Sequence, residues 1–375
     1  MKQAPFKFGE VVSGEHFTDR DEEIKALHNN FVAMQNTIII SPRRYGKSSL
    51  VKEAVERFTR KEKGYFFIFL DLMYVYSEEE FYNQLATRIL KTTSGRIEEF
   101  IQLAKNLLKG TRVTINTGTG EPSLEFGLHY VRDNIEHILN LPQIIARRKK
   151  KKVIVCMDEF QHISRFEQHE NLQGRLRSIW QHHKDAGYLL YGSKQSMMRE
   201  IFHHANSPFY RFGEIIYLRR IKKERLRDYV QNAFHSTGKG ISDEICDRLI
   251  DTVENHPYYL QQFARNIWLI SGKKVTEADF DEAKRSLVYE NLNFYNELLE
   301  GLTTYQVSFL RALLNEEKHL YSAEVINGYR LGSSANVRRM YNGFVDKGII
   351  IKENGRIIFA DPVFKLIARQ RFLTQ

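Results

Sequence analysis

The stretch Ser41-Pro42-Arg43-Arg44-Tyr45-Gly46-Lys47-Ser48-Ser49 holds the residue types of a phosphate-binding loop in the order that chemistry needs. In the pattern G-x-x-x-x-G-K-[ST], backbone N–H groups and a helix start converge on phosphate oxygens. The lysine then reaches the terminal phosphates and the hydroxyl holds Mg²⁺. Gly46, Lys47 and Ser48 fill the three chemical positions, while Ser41 stands where the first glycine is usual. That departure affects the turn and removes no phosphate ligand. Further along, Asp158-Glu159 follows the apolar run Val153-Ile154-Val155-Cys156-Met157. Carboxylates at the exit of a buried strand sit where open α/β sheets bind ligands. There Asp158 would hold Mg²⁺ with Ser48, and Glu159 would polarise a water aimed at a γ-phosphate. The chemistry implied is Mg²⁺-dependent hydrolysis of a nucleoside triphosphate.

The elements that must position these groups are legible around them. Apolar, strand-like runs recur at Thr37–Ile40, Tyr65–Leu70, Val153–Met157, Tyr188–Tyr191 and Glu214–Leu218, with helical periodicity between most of them. Strands alternating with helices imply right-handed crossovers and a parallel sheet covered on both faces. The expected fold is therefore α/β, a P-loop core with a five-stranded parallel sheet over 1–220. The segment 111–126 breaks the rhythm and reads as a hairpin inserted between two helices. Four helices at Lys222–Phe234, Ser242–Glu254, Pro257–Ile270 and Glu277–Tyr289 form an all-α lid over 221–300. In 301–375, helices at Tyr305–Leu314, Ala323–Tyr329 and Ser334–Lys347 precede two short strands about Asn354-Gly355, which is the order of a winged helix.

Bulk properties narrow the class. The 375 residues carry 56 Lys+Arg against 46 Asp+Glu, a net charge of +10 that favours an acidic partner such as nucleic acid. The third helix of the winged segment offers Ser334, Asn336, Arg338 and Arg339, and its wing offers Lys352 and Arg356. Polar and basic groups so placed suit phosphates and base edges of double-stranded DNA. The run Arg147–Lys152 lies at a helix end, where cations complement the macrodipole, and reads as a solvated face. Two cysteines, Cys156 and Cys246, exclude a disulfide framework and show no metal spacing. No apolar run is long enough for a membrane span, so a soluble cytoplasmic protein is expected.

Taken together, the residues resemble the archaeal-type ATPase family within the AAA+/STAND class of P-loop NTPases, over nearly the whole chain. Besides the phosphate loop and Asp158-Glu159-Phe160-Gln161, two segments carry the likeness. Phe17-Thr18-Asp19-Arg20-Asp21-Glu22-Glu23-Ile24 resembles the box before the first strand, and Asn255-His256-Pro257-Tyr258-Tyr259-Leu260 resembles a lid element in which Asn255 replaces a frequent glycine. The resemblance implies adenine as the base, with Arg20 in the box helping to hold base and ribose and Pro257 or His256 contacting nucleotide from the lid. It implies Ser193 as a γ-phosphate sensor and Arg211 as an arginine finger, in cis or on a neighbouring subunit. The residues also admit plainer roles. Thr18 or Asp19 could cap the first helix, Ser193 the helix at Gln195, and His256 the helix at Pro257, while Arg211 could pair with Glu214. The functional expectation is an ATP-binding and hydrolysing AAA+/STAND-type switch acting on, or regulated by, DNA. The alternative is a slow ADP-bound signalling or scaffold NTPase whose winged helix contacts protein. Homo-oligomerisation or a signalling partner stays open.

Overall fold

The computed structural model describes residues 3–108, 112–115, 122–125, 128–353 and 355–373, with the backbone alone at 112–115, 122–125 and 128–134. The chain divides into two compact units. One comprises Arg20–Arg43 and Lys47–Arg219; the other comprises the residues up to Asp19, Arg44–Gly46 and those from Arg220 onward.

The first unit is a covered parallel sheet. Its elements run α1 (Asp21–Val32), β1 (Thr37–Ile40), α2 (Lys47–Lys61), β2 (Tyr65–Asp71), α3 (Glu78–Thr93), α4 (Ile97–Leu107), β3 (Arg112–Ile115), β4 (Pro122–Glu125) and α5 (Leu128–Lys149). Then come β5 (Lys152–Asp158), α6 (His169–Trp180), β6 (Ala186–Gly192), α7 (Gln195–His203) and β7 (Glu214–Tyr217). The five-stranded sheet has the order β2-β5-β6-β1-β7, and every neighbouring pair is parallel. Burial explains the sequence pattern. The central strands β1 and β6 bury every residue and β5 buries Val153–Met157, which is why they read as continuous apolar runs. The edge strand β2 instead exposes Phe69 and Asp71. Strands β3 and β4 pair antiparallel between α4 and α5; the expected turn at 116–121 lies outside the described residues.

The basic run at 147–152 spans the end of α5 and the start of β5. Lys149 pairs with Glu99, and Lys152 lies 2.6 Å from Asp185. Helix α1 departs from expectation at its start. Neither Thr18 nor Asp19 caps it: the N-cap is Arg20, in the left-handed region at φ 73°, with no side-chain cap.

The second unit is helical. Its elements are α8 (Lys223–Ser236), α9 (Asp243–Thr252), α10 (Pro257–Ile270), α11 (Glu277–Glu300), α12 (Thr304–Leu314), α13 (Ala323–Gly328), α14 (Ser334–Asp346), β8 (Ile350–Glu353), β9 (Arg356–Phe359) and α15 (Pro362–Phe372). Local chemistry sets many of the helix starts. Thr276 with Asp279 and Thr303 with Gln306 form capping boxes, and the Ser242, Ser322 and Ser333 hydroxyls each accept an N–H three residues on. Helix α11 runs eleven residues past the expected Tyr289 because Tyr295 and Leu299 continue its apolar stripe and no breaker intervenes before Gly301. Helix α15 completes the winged segment, with Asp361 as its cap and Pro362 in the first turn.

One hydrophobic cluster runs through the helices of 221–300 and the segment 301–375 alike, from Leu226 and Phe263 to Phe344 and Phe364. Polar links follow the same seam. Glu254 accepts from Arg220 at 2.8 Å and Lys365 at 2.9 Å, and the Tyr259 and Tyr295 hydroxyls both donate to Asp361.

Trp180 in α6 tests the packing of the first unit. It is 1% exposed, stacks on Tyr188 with ring centroids 4.0 Å apart, and its indole N–H has no hydrogen-bond partner among the described residues. Trp180→Ala is expected to cost about 3–5 kcal/mol, whereas Trp180→Phe, which keeps one ring of the stack and forfeits no hydrogen bond, should cost less than Trp180→Ala. Urea unfolding followed by far-UV circular dichroism checks both.

Candidate nucleotide site

Sheet order builds the site. Strand β6 lies between β1, which leads into the phosphate loop, and β5, which ends in the carboxylates. The residues after the three carboxyl ends, Ser41 onward, Glu159 and Ser193, therefore share one edge. Gly46 turns the loop at φ +82°, a conformation that a side chain would strain although space for a Cβ is open. Helix α2 then starts at Lys47 with no acidic residue in its first turn, so its N-terminal dipole favours an anion.

Lys47 is 7% exposed, and its ammonium donates to Asp158 Oδ1 at 2.6 Å and Glu159 Oε1 at 3.1 Å. It also lies 5.3 Å from the centre of the Tyr191 ring. The Ser48 hydroxyl donates to Asp158 Oδ2 at 2.8 Å. Glu159, itself in the left-handed region at φ 50°, takes a second set of donors on Oε2: the Ser193 hydroxyl at 2.9 Å, the Ser193 N–H at 3.4 Å and the Gln161 side-chain amide. Burial works to raise the Glu159 pKa, but Lys47, Gln161 and Ser193 outweigh it and hold the carboxyl below its ordinary value.

The other expected site residues are placed as follows. Ser41 is fully buried and donates to the Pro42 carbonyl at 3.1 Å, while Arg43 is exposed and Ser49 buried. Arg44, Tyr45 and Gly46 group with the helical unit. Arg44 donates to the Tyr259 hydroxyl at 2.7 Å and lies 4.7 Å over the Tyr258 ring; Tyr45 is 2% exposed and accepts from Arg220 at 3.2 Å. Arg20 is buried, donating to the Arg219 carbonyl at 2.7 Å and to Glu23 at 3.1 Å. Pro257 occupies the first turn of α10.

Two of the plainer roles are not realised and a third is realised in position alone. Ser193 does not cap α7, whose N-cap is Lys194. His256 is the N-cap of α10, but its side chain makes no cap bond; it is 1% exposed between the Tyr45 and Tyr259 rings, with burial pushing its pKa down to about 3. Arg211 lies 5.2 Å over the Tyr210 ring, and the Glu214 carboxylate accepts from Asn30 instead.

Arg211 also precedes β7, whose first residue pairs with Thr37 at the amino end of β1. A four-residue strand, roughly 13 Å long, separates that edge from the phosphate loop. The arrangement thus does not bring Arg211 to Lys47 of its own chain, and action in cis does not fit it.

Mg²⁺ suits the donors present. Hard oxygen ligands, few in number, are what this cation takes alongside phosphate and water, and Ser48 with Asp158 supplies them. Among the described residues no group of three or more His, Cys, Asp or Glu forms a metal cage.

The model of a family described as an ATPase domain predominantly from Archaea matches residues 17–263. The chain belongs to this archaeal ATPase family. A second model, a probable winged helix domain, matches residues 293–370. No curated protein matches the sequence. Among solved structures, the Walker-type ATPase of Pyrococcus abyssi is similar, with TM-score 0.70 and 16% identity over 97% of this chain and 99% of that one. The Aeropyrum pernix ORC2 protein, solved in ADPNP-ADP complexes, has TM-score 0.57 and 13% identity, covering 98% of each chain. Its ADP form has TM-score 0.53 and 13% identity over 96% and 97%. At these identities the likeness shows the fold, a P-loop ATPase core followed by a winged helix. Among the described residues no helix of this archaeal-type ATPase is long and apolar enough to cross a membrane.

Sequence reasoning assigned no role to Gln161, although it closes the Asp158-Glu159-Phe160-Gln161 segment that carries part of the family likeness. In this ATPase the buried Lys47 also has a stability consequence. Lys47→Ala leaves two partly buried carboxylates facing each other and is expected to cost about 1–3 kcal/mol without nucleotide. The sign with pH follows from Glu159. Its folded pKa lies below the ordinary 4.5, so its contribution is complete above that value and lost as pH falls through the folded pKa. The deficit of Lys47→Ala should therefore be full at neutral pH and shrink below about pH 4.5, which thermal melts across pH 3–7 can follow.

Proposed function

We propose that the chain binds ATP with Mg²⁺ at Lys47, Ser48 and Asp158, hydrolyses it with Glu159 orienting the attacking water, and serves as a switch read out on double-stranded DNA through its winged helix. The observation that carries this reading is the Lys47 ammonium on both carboxylates with Ser48 on the far oxygen of Asp158. A triphosphate competes for that ammonium. When Lys47 turns to it, Asp158 Oδ1 and Glu159 Oε1 are released together, one toward the cation and one toward water. Bound Mg²⁺ supplies neutralisation of phosphate charge. Ser193, already on Glu159, is placed to report the γ-phosphate to that carboxylate. Arg20, Pro257 and the loop from Ser41 to Ser49 complete the nucleotide contacts in this reading. Arg211 would complete the site of a neighbouring copy.

DNA as partner is supported by the +10 charge and by α14 and the wing. Arg338, Arg339, Lys352 and Arg356 are exposed, and no ion pair is seen to them among the described residues. Asn336 is a weaker candidate, because its amide already donates to the Leu331 carbonyl at 2.9 Å. The alternative, a slow signalling NTPase that rests with ADP bound and contacts protein, draws support from Glu159. Both its oxygens are engaged, as a site locked between turnovers would be.

ATP turnover by wild type and Glu159→Gln, each with and without double-stranded DNA at low and moderate salt, tests the proposal. Expected is DNA-stimulated hydrolysis that Glu159→Gln lowers by about 10²-fold or more. Arg338→Ala and Arg339→Ala should each flatten the salt dependence of DNA affinity by about 0.9 in log–log slope for every phosphate that the arginine neutralises. Negligible turnover whatever the DNA, with ADP retained on purification, would favour the signalling reading.

A further inference from the structure

Gln161 is held where a core residue should be apolar. It is 2% exposed in the 3₁₀ turn Phe160–Arg165 that follows Glu159, and its side chain turns back two residues. The amide N–H donates to Glu159 Oε2, but the side-chain carbonyl oxygen is buried without a partner among the described residues. A buried amide with half its bonding unmet costs stability that an apolar side chain of the same size would not. Among the described residues Glu159 is the one group its side chain bonds. Strand β6 leaves room for it at a cost of its own: a Cβ on Gly192 would lie 2.0 Å from the Gln161 carbonyl oxygen and 2.7 Å from Met198 Sδ. The strand end that supplies Ser193 is thus also shaped to seat Gln161.

We propose that Gln161 is a positioning residue for Glu159. With Ser193 it pins Oε2, so that Oε1, the oxygen now facing Lys47, is the one that turns to the attacking water once Lys47 moves to phosphate. Gly192 is the glycine that keeps this clamp in place. The inference rests on the hydrolytic reading above, but its structural half stands apart from it.

Gln161→Met tests the clamp, because it conserves volume while removing both the donor and the orphaned acceptor. Turnover should fall about 10- to 100-fold, the order a misplaced group costs. Affinity for a non-hydrolysable ATP analogue with Mg²⁺ should stay within about threefold, since the Gln161 amide donates to Glu159 rather than to a phosphate or metal group. A merely structural glutamine would lower turnover, affinity and melting temperature together.

Gly192→Ala should reproduce the loss by expelling Gln161. The double variant with Gln161→Ala, which removes the 2.0 Å clash and leaves only the flexible end of Met198 to shift, should be no slower than Gln161→Ala alone. Unchanged turnover in Gln161→Met beside an active wild type would overturn the proposal, as would turnover, affinity and melting temperature falling together. Should wild type itself show no turnover, the hydrolytic reading fails, and the crystal structure of Gln161→Met decides the clamp. Glu159 displaced from Ser193 supports it, and Glu159 unmoved overturns it.

Discussion

A lysine ammonium that is 7% exposed and shared by two carboxylates is the interaction on which the arrangement turns. Desolvating the charge of Lys47 is costly alone, and so is leaving Asp158 and Glu159 side by side. Together the three groups balance to one excess negative charge. The Ser48 hydroxyl, the Ser193 hydroxyl and the Gln161 amide absorb what remains by donating to the carboxylates. The three charged groups are therefore each paired as they stand, yet every bond Lys47 makes is one that a phosphate oxygen can replace.

Backbone geometry enforces the meeting. With β6 between β1 and β5, the three carboxyl ends deliver Lys47, Ser193 and Glu159 from separate elements to one edge. Gly46 and Glu159 both sit at positive φ on either side of it. Glycine meets that demand freely; Glu159 does so at a strain that local donors must offset. The same arrangement sends Arg211 to the opposite edge, one strand length away from Lys47, Ser193 and Glu159.

Much of this was legible because it depends on residue type and short spacing. Lys47 and Ser48 follow an apolar strand, Asp158-Glu159 ends another, and the burial of β1, β5 and β6 made all three conspicuous. The helices of the second unit could be read from caps and periodicity, although α11 outran its reading because Tyr295 and Leu299 continue the stripe. What escaped depends on three-dimensional neighbours. Nothing local marks Tyr45 as buried, or Arg20 as a left-handed N-cap where Thr18 or Asp19 has the better propensity. The value of Gln161 follows only from where its amide turns. Helix α15 was missed although Asp361-Pro362 before an amphipathic run is a legible start.

The central claim is that the Lys47 ammonium stands where nucleotide phosphate is to bind. Calorimetric titration of ATP into wild type and Lys47→Ala, with Mg²⁺ present and with Mg²⁺ chelated, tests it most directly. The account predicts binding to wild type that strengthens with Mg²⁺ and is lost in a folded Lys47→Ala. ATP binding of equal strength in the two proteins, or none in wild type under either condition, would contradict it.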